Sequence, residues 1–335
     1  MATRTQVVVT GFGEVERVAL ADSSVPRPRG RQVLVRVTHA SLGSTDILAR
    51  RGGYLLQPRV GFTTGYDFVG VLEKITPSAG LLGLQAGSRV AGCLPRMGAH
   101  TTHLAVDPSL LIAVPDALSS PVAATAPLDL VTAALALRLA RIPHGGSVLI
   151  QGVTGAVGSF AAQQAALAGL SVFGTASSRS RAEAERLGAT FADYADPAWA
   201  RGVRDASGGG VDGAIDHTGS PAVREAVSPR GILVHTAFVG TAGRERRDTA
   251  VGGLVASARR WSHPRECVCS VPLFVATQRN AYRAMLTAEL ARLASGVLSA
   301  PEAVIVPFGN VWEANRLAEH PSPRSKVVLE MPAAG

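Results

Sequence analysis

Three cysteines in 335 residues, Cys93, Cys267 and Cys269, are too few for a disulfide framework or a four-cysteine zinc site, and none stands in a C-x-x-C pair. They read as buried or incidental thiols. Lysine is scarcer still: only Lys74 and Lys326 occur, so almost all of the basic side of a net charge of +8 is arginine scattered along the chain. A basic balance can announce nucleic acid, but a scatter without a stripe does not, and GC-rich coding alone produces arginine in place of lysine. The densest group, Arg244, Arg246, Arg247, Arg259 and Arg260, reads as a solvated face. No run approaches the ~18 apolar residues of a membrane span, and the opening MATRTQVVVT lacks the apolar stretch of a signal peptide, so a cytoplasmic protein is expected. Charged residues make up 17% against 47% hydrophobic, which excludes a disordered chain and leaves a globular one long enough for two domains.

What is present changes texture once. Up to about residue 115 the chain reads as an antiparallel β region: VLVRV (33–37) alternates apolar and polar, VGVLEKI (69–75) does so loosely, and Gly and Pro punctuate. From about Ser119 an Ala/Leu-rich helical run over 128–140 ends before Pro143, and HGG at 144–146 turns into VLIQ. GVTGAVG follows, then SFAAQQAALAG, a helix of small residues closed by Gly169, then LSVFGTA (170–176) as a second buried strand. VDGAIDHTG (211–219) and GILVHTAFVG (231–240) read as further strands, whose C-terminal ends line the ligand crevice in a doubly wound sheet. ECVCSVPLFVA (266–276) reads as an edge strand. The tail reads as helix (281–294), strand PEAVIVPF, helix VWEANRLAEH and strand KVVLEM, returning to complete the N-terminal β domain.

Strand, glycine turn, helix and strand within about 30 residues make a βαβ unit. A dinucleotide is expected on the turn formed by Val153, Thr154, Gly155, Ala156 and Val157. Gly155 lets the backbone approach a pyrophosphate, Gly158 lets the helix pack close to the strand, and the helix N-terminus offers free N–H groups. Val153 stands where the G-x-G-x-x-G pattern has its first glycine. An acid at the end of the second strand is also missing. An NAD site places Asp or Glu about 20 residues after the turn, to accept from the ribose 2′-OH. Here Ala176 is followed by Ser177, Ser178, Arg179, Ser180 and Arg181. Hydroxyls and guanidinium groups suit a 2′-phosphate, so NADPH is the expected cofactor.

The landmarks VERVALADSSVPRPRGRQVLVRV, STDILARRGGY, GYDFVGVLEKI, GSRVAG, APLDLVTAALAL, GGSVLIQGVTGAVG, VFGTASS, LGATFADY, GVDGAIDHTG and SKVVLEM run in order along nearly the whole chain. Together they resemble the medium-chain dehydrogenase/reductase superfamily, within it the zinc-free quinone oxidoreductase-like branch. The resemblance implies an α/β fold, with a GroES-like β domain over 1–118 and 286–335 and an inserted, doubly wound Rossmann nucleotide-binding domain over 119–285. Zinc-dependent members hold their metal by a Cys in C-x-T-D, a His and a Glu in GHE, and a later Cys. Here those segments read GSTD and GYD, so Gly43, Tyr66 and Asp67 stand in their places and no metal is expected. The resemblance further implies that Tyr54 faces the nicotinamide as a hydrogen-bond or proton donor and that Thr132 lies on a helix touching it. It implies Arg181 on the 2′-phosphate, Tyr194 beside the adenosine ribose, and Phe238, Val239 and Gly240 at the strand end beside the nicotinamide. Zinc-free members usually carry Asn where Gly43 stands. Ser44 and Thr45, next to Asp46, are the candidate replacements, and with Tyr54 these three make up the candidate catalytic group. His39, His100, His103 and His217 have no mutual spacing of a catalytic dyad and are expected to be structural.

Without zinc, a hydride acceptor must itself delocalise the arriving charge, as an enone, an enoyl thioester or a quinone does. The leading expectation is a stand-alone NADPH-dependent reductase of such an acceptor, of the kind that tailors secondary metabolites. Two alternatives stand beside it: a non-redox cyclase, dehydratase or isomerase on the same fold, suggested by Gly43, and an NADPH-binding regulatory or RNA-binding protein of the zeta-crystallin kind, suggested by the basic charge. The expected partner is a small conjugated carbonyl or quinone, with neither membrane nor nucleic acid. Relatives pair the edge strand across a two-fold axis, so a homodimer with Val268 and Ser270 at its seam is expected.

Overall fold

The computed structural model describes residues 2–238, 243–322 and 324–333. Of the expected cofactor residues, Val239 and Gly240 lie outside the described residues. The chain divides into two compact units, Met1–Val131 with Val271–Gly335, and Thr132–Ser270.

The first unit opens with β1 (Thr3–Val9), β2 (Val18–Ser24), β3 (Val33–Leu42), β4 (Phe62–Thr63), β5 (Asp67–Lys74), β6 (Arg89–Cys93), β7 (His103–Val106) and β8 (Leu111–Ala113). A small sheet has the order β2-β1-β4, and a larger one runs β3-β5-β6-β8 with β7 also on β3, all antiparallel. The apolar alternation expected of 33–37 is incomplete, since Val33, Leu34 and Val35 are all buried, as a strand enclosed by neighbours requires. The short helix Ser44–Arg50 leaves the end of β3 through Gly43.

The second unit contains β9 (Ser147–Ile150), β10 (Ser171–Ala176), β11 (Ala189–Asp193), β12 (Val211–Asp216), β13 (Val227–His235) and β14 (Arg265–Val268). These form one wholly parallel sheet in the order β11-β10-β9-β12-β13-β14, the doubly wound order expected of a Rossmann domain. Helices Trp199–Ala206 and Pro221–Ala226 bury Trp199, Val203, Val223 and Ala226 against Leu149, Phe173, Ala214 and Leu233 of the sheet. Helix Ala156–Leu167, rich in alanine, packs on β9 and β10. It ends where predicted: Gly169 takes φ +73° and donates to Ala166 O, and Leu170 donates to Ala165 O, a pair of bonds that satisfies the last carbonyls.

The chain then returns to the first unit as β15 (Glu302–Pro307) and β16 (Ser325–Glu330), β16 pairing antiparallel with β3 and parallel with β15. The expected domain boundaries, 118/119 and 285/286, fall at 131/132 and 270/271. Helix Ser120–Ala124 packs on β3 and β5, and buried Tyr282 of helix Arg279–Ala294 bonds Cys93 N–H and Leu110 O, so both helices go with the first unit. The expected strand 266–276 is corrected. Only Arg265–Val268 is extended, and Val271–Thr277 is a helix, because Pro272 has no N–H for a ladder but is at home in a first helical turn. Ser270 therefore lies outside the strand.

Candidate active site

In the second unit the turn after β9 is built by close approach. Gly152 takes φ +67°, where an added Cβ would lie 2.8 Å from His217 Cε1. Val153, in the place of the motif's first glycine, is fully buried with its side chain against Gly174 of β10. Gly158 is the tightest position, since a Cβ there would stand 2.2 Å from Gly152 O. Gly155 is exposed and caps the helix Ala156–Leu167; Thr154, Ala156 and Val157 are half-buried around it. The N–H groups of a first helical turn have no intrahelical acceptor, so this turn presents donors beside a backbone with no side chain in the way, as a pyrophosphate needs.

The end of β10 carries the other expected contacts. Ser178 and Arg179 are exposed and Ser177 is half-buried. Arg179 has no partner among the described residues. Arg181 lies over the Phe191 ring at 4.2 Å and 3.5 Å from Glu185, so its cation is already shared. Tyr194 is exposed, and its N–H donates to Ala176 O, which brings the ends of β10 and β11 together. Hydroxyls, one unshared guanidinium and no carboxylate at Ala176 fit a 2′-phosphate. Thr132 is half-buried in helix Pro127–Ala140. Phe238 is buried rather than presented: its ring stacks on His235 at 4.8 Å and fills the space beside Gly219 and Gly252.

In the first unit Tyr54 and Tyr66 share a hydroxyl–hydroxyl hydrogen bond of 2.7 Å with their rings edge to face. Burial raises both, Tyr54 to about 12, so both hydroxyls keep their protons at neutral pH. Asp46 is committed to the backbone: its carboxylate accepts from Gly43 N–H at 3.0 Å and from Gly65 N–H at 2.8 Å, fixing the helix start against the next loop. Ser44 is exposed and Thr45 half-buried. Asp67 accepts from Ser41 Oγ at 2.7 Å and from Leu128 N–H at 3.1 Å, and burial pushes its carboxyl up to about 7 against the opposing pull of Lys326. Lys326 donates to Asp129 at 2.8 Å. Burial works against its charge, but Asp129 and Asp67 outweigh that and raise its pKa.

Asp129 and Lys326 escape a motif search, and only the rarity of lysine singles out the second; the motif names Tyr66 but not its bond to Tyr54. His100 is fully buried with Nδ1 on Thr64 Oγ1 and Nε2 on Ser41 O, a structural role as expected. Among the described residues no three His, Cys, Asp or Glu converge as metal ligands, and no helix is long and apolar enough to cross a membrane.

Two family models match the chain: an alcohol dehydrogenase GroES-like domain over residues 29–116 and a zinc-binding dehydrogenase over residues 156–256. The chain is 27% identical over 99% of its length to a mycocerosic acid synthase-like polyketide synthase of Mycobacterium tuberculosis, of which it spans only 16%. It is 31% identical to human quinone oxidoreductase over 51% of its own length and 52% of that protein's. The crystal structure of JamJ enoyl reductase in its apo form superposes with a TM-score of 0.85, covering 99% of this chain and all of that one, at 21% identity.

Proposed function

The chain belongs to the medium-chain dehydrogenase/reductase superfamily, in its quinone oxidoreductase-like branch, and from that premise we propose that it is an NADPH-dependent, metal-independent reductase of a conjugated carbonyl or quinone. One observation carries the reading: the places where zinc-dependent members hold metal are taken by proton-bearing and hydrogen-bonded groups. Gly43 has no ligand atom, the Tyr66 hydroxyl is bonded to Tyr54, and both oxygens of Asp67 are engaged. Bound to the second unit, NADPH supplies a hydride. Gly152, Gly155 and Gly158 make room for its pyrophosphate, the first turn of helix Ala156–Leu167 binds it, and Ser177, Ser178 and Arg179 receive the 2′-phosphate. In the first unit Tyr54 holds a proton at its hydroxyl for the carbon or oxygen left negative, and the hydrogen bond with Tyr66 fixes where that hydroxyl lies.

Loss of absorbance of the reduced nicotinamide with menadione and with a crotonyl thioester tests the reading. NADPH that binds but is oxidised by neither acceptor would sink it in favour of a non-redox role. For the cofactor, we expect NADPH to bind at least about tenfold tighter than NADH. Arg179→Ala and Arg181→Ala, titrated by fluorescence, should each erode the preference while leaving NADH affinity nearly unchanged. Since Arg181 is shared with Glu185 and Phe191, the larger loss should fall on Arg179→Ala. Equal affinities for the two cofactors in the unmodified protein would remove the assignment.

A homodimer remains part of this proposal. β14 is the last strand of its sheet, with Val268 exposed, and on helix Glu245–Ala258, which packs on it, Leu254 is 72% exposed. Antiparallel pairing of β14 with its copy would cover this edge. Light scattering at micromolar concentration should give twice the mass of one chain, and Val268→Glu should give one; a monomeric unmodified protein refutes the pairing.

A further inference from the structure

β16 pairs with β3 so that Val327 lies opposite Leu42, which sets Lys326 beside Gly43 at the point where β3 gives way to its helix. From there the lysine side chain crosses the glycine. A Cβ on Gly43 would stand 2.8 Å from Lys326 Nζ and 3.6 Å from Cε, so the ammonium occupies the space of a side chain that position 43 lacks. The other lysine, Lys74, is exposed at the far end of β5, whereas Lys326 is 8% exposed.

The neighbouring carboxylates are arranged so that they charge this ammonium without covering it. An ammonium has three protons to donate. Asp129 takes one at 2.8 Å. Asp46 is held by two backbone N–H groups, and Asp67 by Ser41 Oγ and Leu128 N–H, so neither is free to fold over the nitrogen. Among the described residues no second acceptor is hydrogen-bonded to Lys326. Burying a cation costs several kcal/mol before pairing, and a merely structural role would be met by an apolar side chain at less cost.

We propose that the Lys326 ammonium, seated over Gly43, contacts the substrate carbonyl oxygen and stabilises the negative charge that develops there. This rests on the reductase reading. In that reaction the hydride pair adds to the β-carbon, the C=C electrons move to make the enolate oxygen, and the α-carbon then takes a proton from the Tyr54 hydroxyl, which is restored from solvent. Lys326 makes and breaks no covalent bond. Its fixed charge, held at a buried position, acts most strongly on the oxygen as that oxygen becomes anionic, which is the condition for speeding the step rather than merely binding the substrate.

The test uses para-nitrophenol, whose phenolate mimics an enolate, bound to the protein saturated with NADP+. The unmodified protein should bind the yellow phenolate in preference to the phenol, lowering its apparent pKa by about one unit or more, while Lys326→Met should abolish that shift and Lys326→Arg should keep part of it. Because Lys326→Met leaves Asp129 unpaired and can fail to fold, Gly43→Ala serves as the second variant. Its new Cβ displaces the ammonium and retains the charge, and it should weaken phenolate binding while leaving the affinity for NADPH unchanged. In turnover with the crotonyl thioester, kcat should fall about a hundredfold in Lys326→Met, the scale for losing one such donor. Phenolate binding that is absent from the unmodified protein, or unchanged in both Lys326→Met and Gly43→Ala, overturns the proposal. Phenolate binding that depends on Lys326 without any NADPH oxidation leaves the anion site standing and removes the reductase reading instead.

Discussion

Gly158→Ala should abolish measurable NADPH binding and lower the stability of the second unit by about 3 kcal/mol, a factor of about 100 in an equilibrium constant. The added methyl would lie 2.2 Å from the carbonyl oxygen of Gly152 and 2.9 Å from Val153 Cα. Both are backbone atoms of the turn, so no rotamer change relieves the contact. Helix Ala156–Leu167 must move off β9, or Gly152 must give up the φ of +67° that aims the turn. Either movement displaces the first-turn N–H groups that receive the pyrophosphate. Gly155→Ala is the control: its Cβ would meet Gly152 O at 3.2 Å, a tight contact that a small shift relieves. It should leave the thermal midpoint nearly unchanged and reduce affinity only by crowding the ligand. Fluorescence titration and thermal melting of both variants read the two effects separately, and NADPH affinity in Gly158→Ala close to that of the unmodified protein would remove the pyrophosphate from this turn.

The turn could be read from sequence because everything that shapes it is local. A buried four-residue strand, glycines at fixed offsets and a helix of small residues lie within one contiguous stretch, and the β10 end with its missing acid follows at the expected distance. The same locality explains Gly169. The failures share the opposite property. The stretch 266–276 is apolar throughout, and periodicity does not distinguish a short strand from a buried helix there; Pro272 was the deciding residue. Lys326 meets Gly43 only through the register of β16 on β3, two segments almost the whole chain apart. Tyr66 was legible as a residue that does not bind zinc, but its bond to Tyr54 depends on the fold of the loop between them. Asp46 reads as catalytic from its place after Ser44 and Thr45 in a family motif, whereas both its oxygens serve backbone N–H groups.

The least legible feature of all is the ionic group at the C-terminal end of the parallel sheet, and it yields the other large expected effect. Asp216 ends β12, His235 ends β13 directly beside it, and Glu266 lies in β14 opposite Leu233. His235 is 4% exposed and has Asp216 Oδ2 at 3.1 Å from Nδ1 and Glu266 Oε2 at 3.2 Å from Nε2, so each ring nitrogen faces a carboxylate, and a protonated ring donates to both. Burial alone would lower the imidazole's pKa, but the two carboxylates reverse that and raise it. For Asp216 and Glu266 burial is likewise overcome, by His235 with Thr218 and with Arg224 respectively, and both are lowered. A raised histidine contributes stability that is complete below its ordinary pKa of about 6.5 and is lost as pH rises through its folded value. The lowered carboxylates contribute stability that is present above about 4 and is lost as pH falls through their folded values. The second unit should therefore be most stable between those limits and weaken towards the alkaline side. His235→Gln should remove the alkaline limb, since the amide donates but does not titrate. His235→Leu should cost about 3 kcal/mol, the low end for breaking a buried pair, because Asp216 keeps Thr218 and Gly219 and Glu266 keeps Arg224. The loss should also loosen Phe238, whose ring stacks on the imidazole. Thermal midpoints of the three proteins measured across pH decide the matter: an alkaline limb that survives in His235→Gln assigns it to another group.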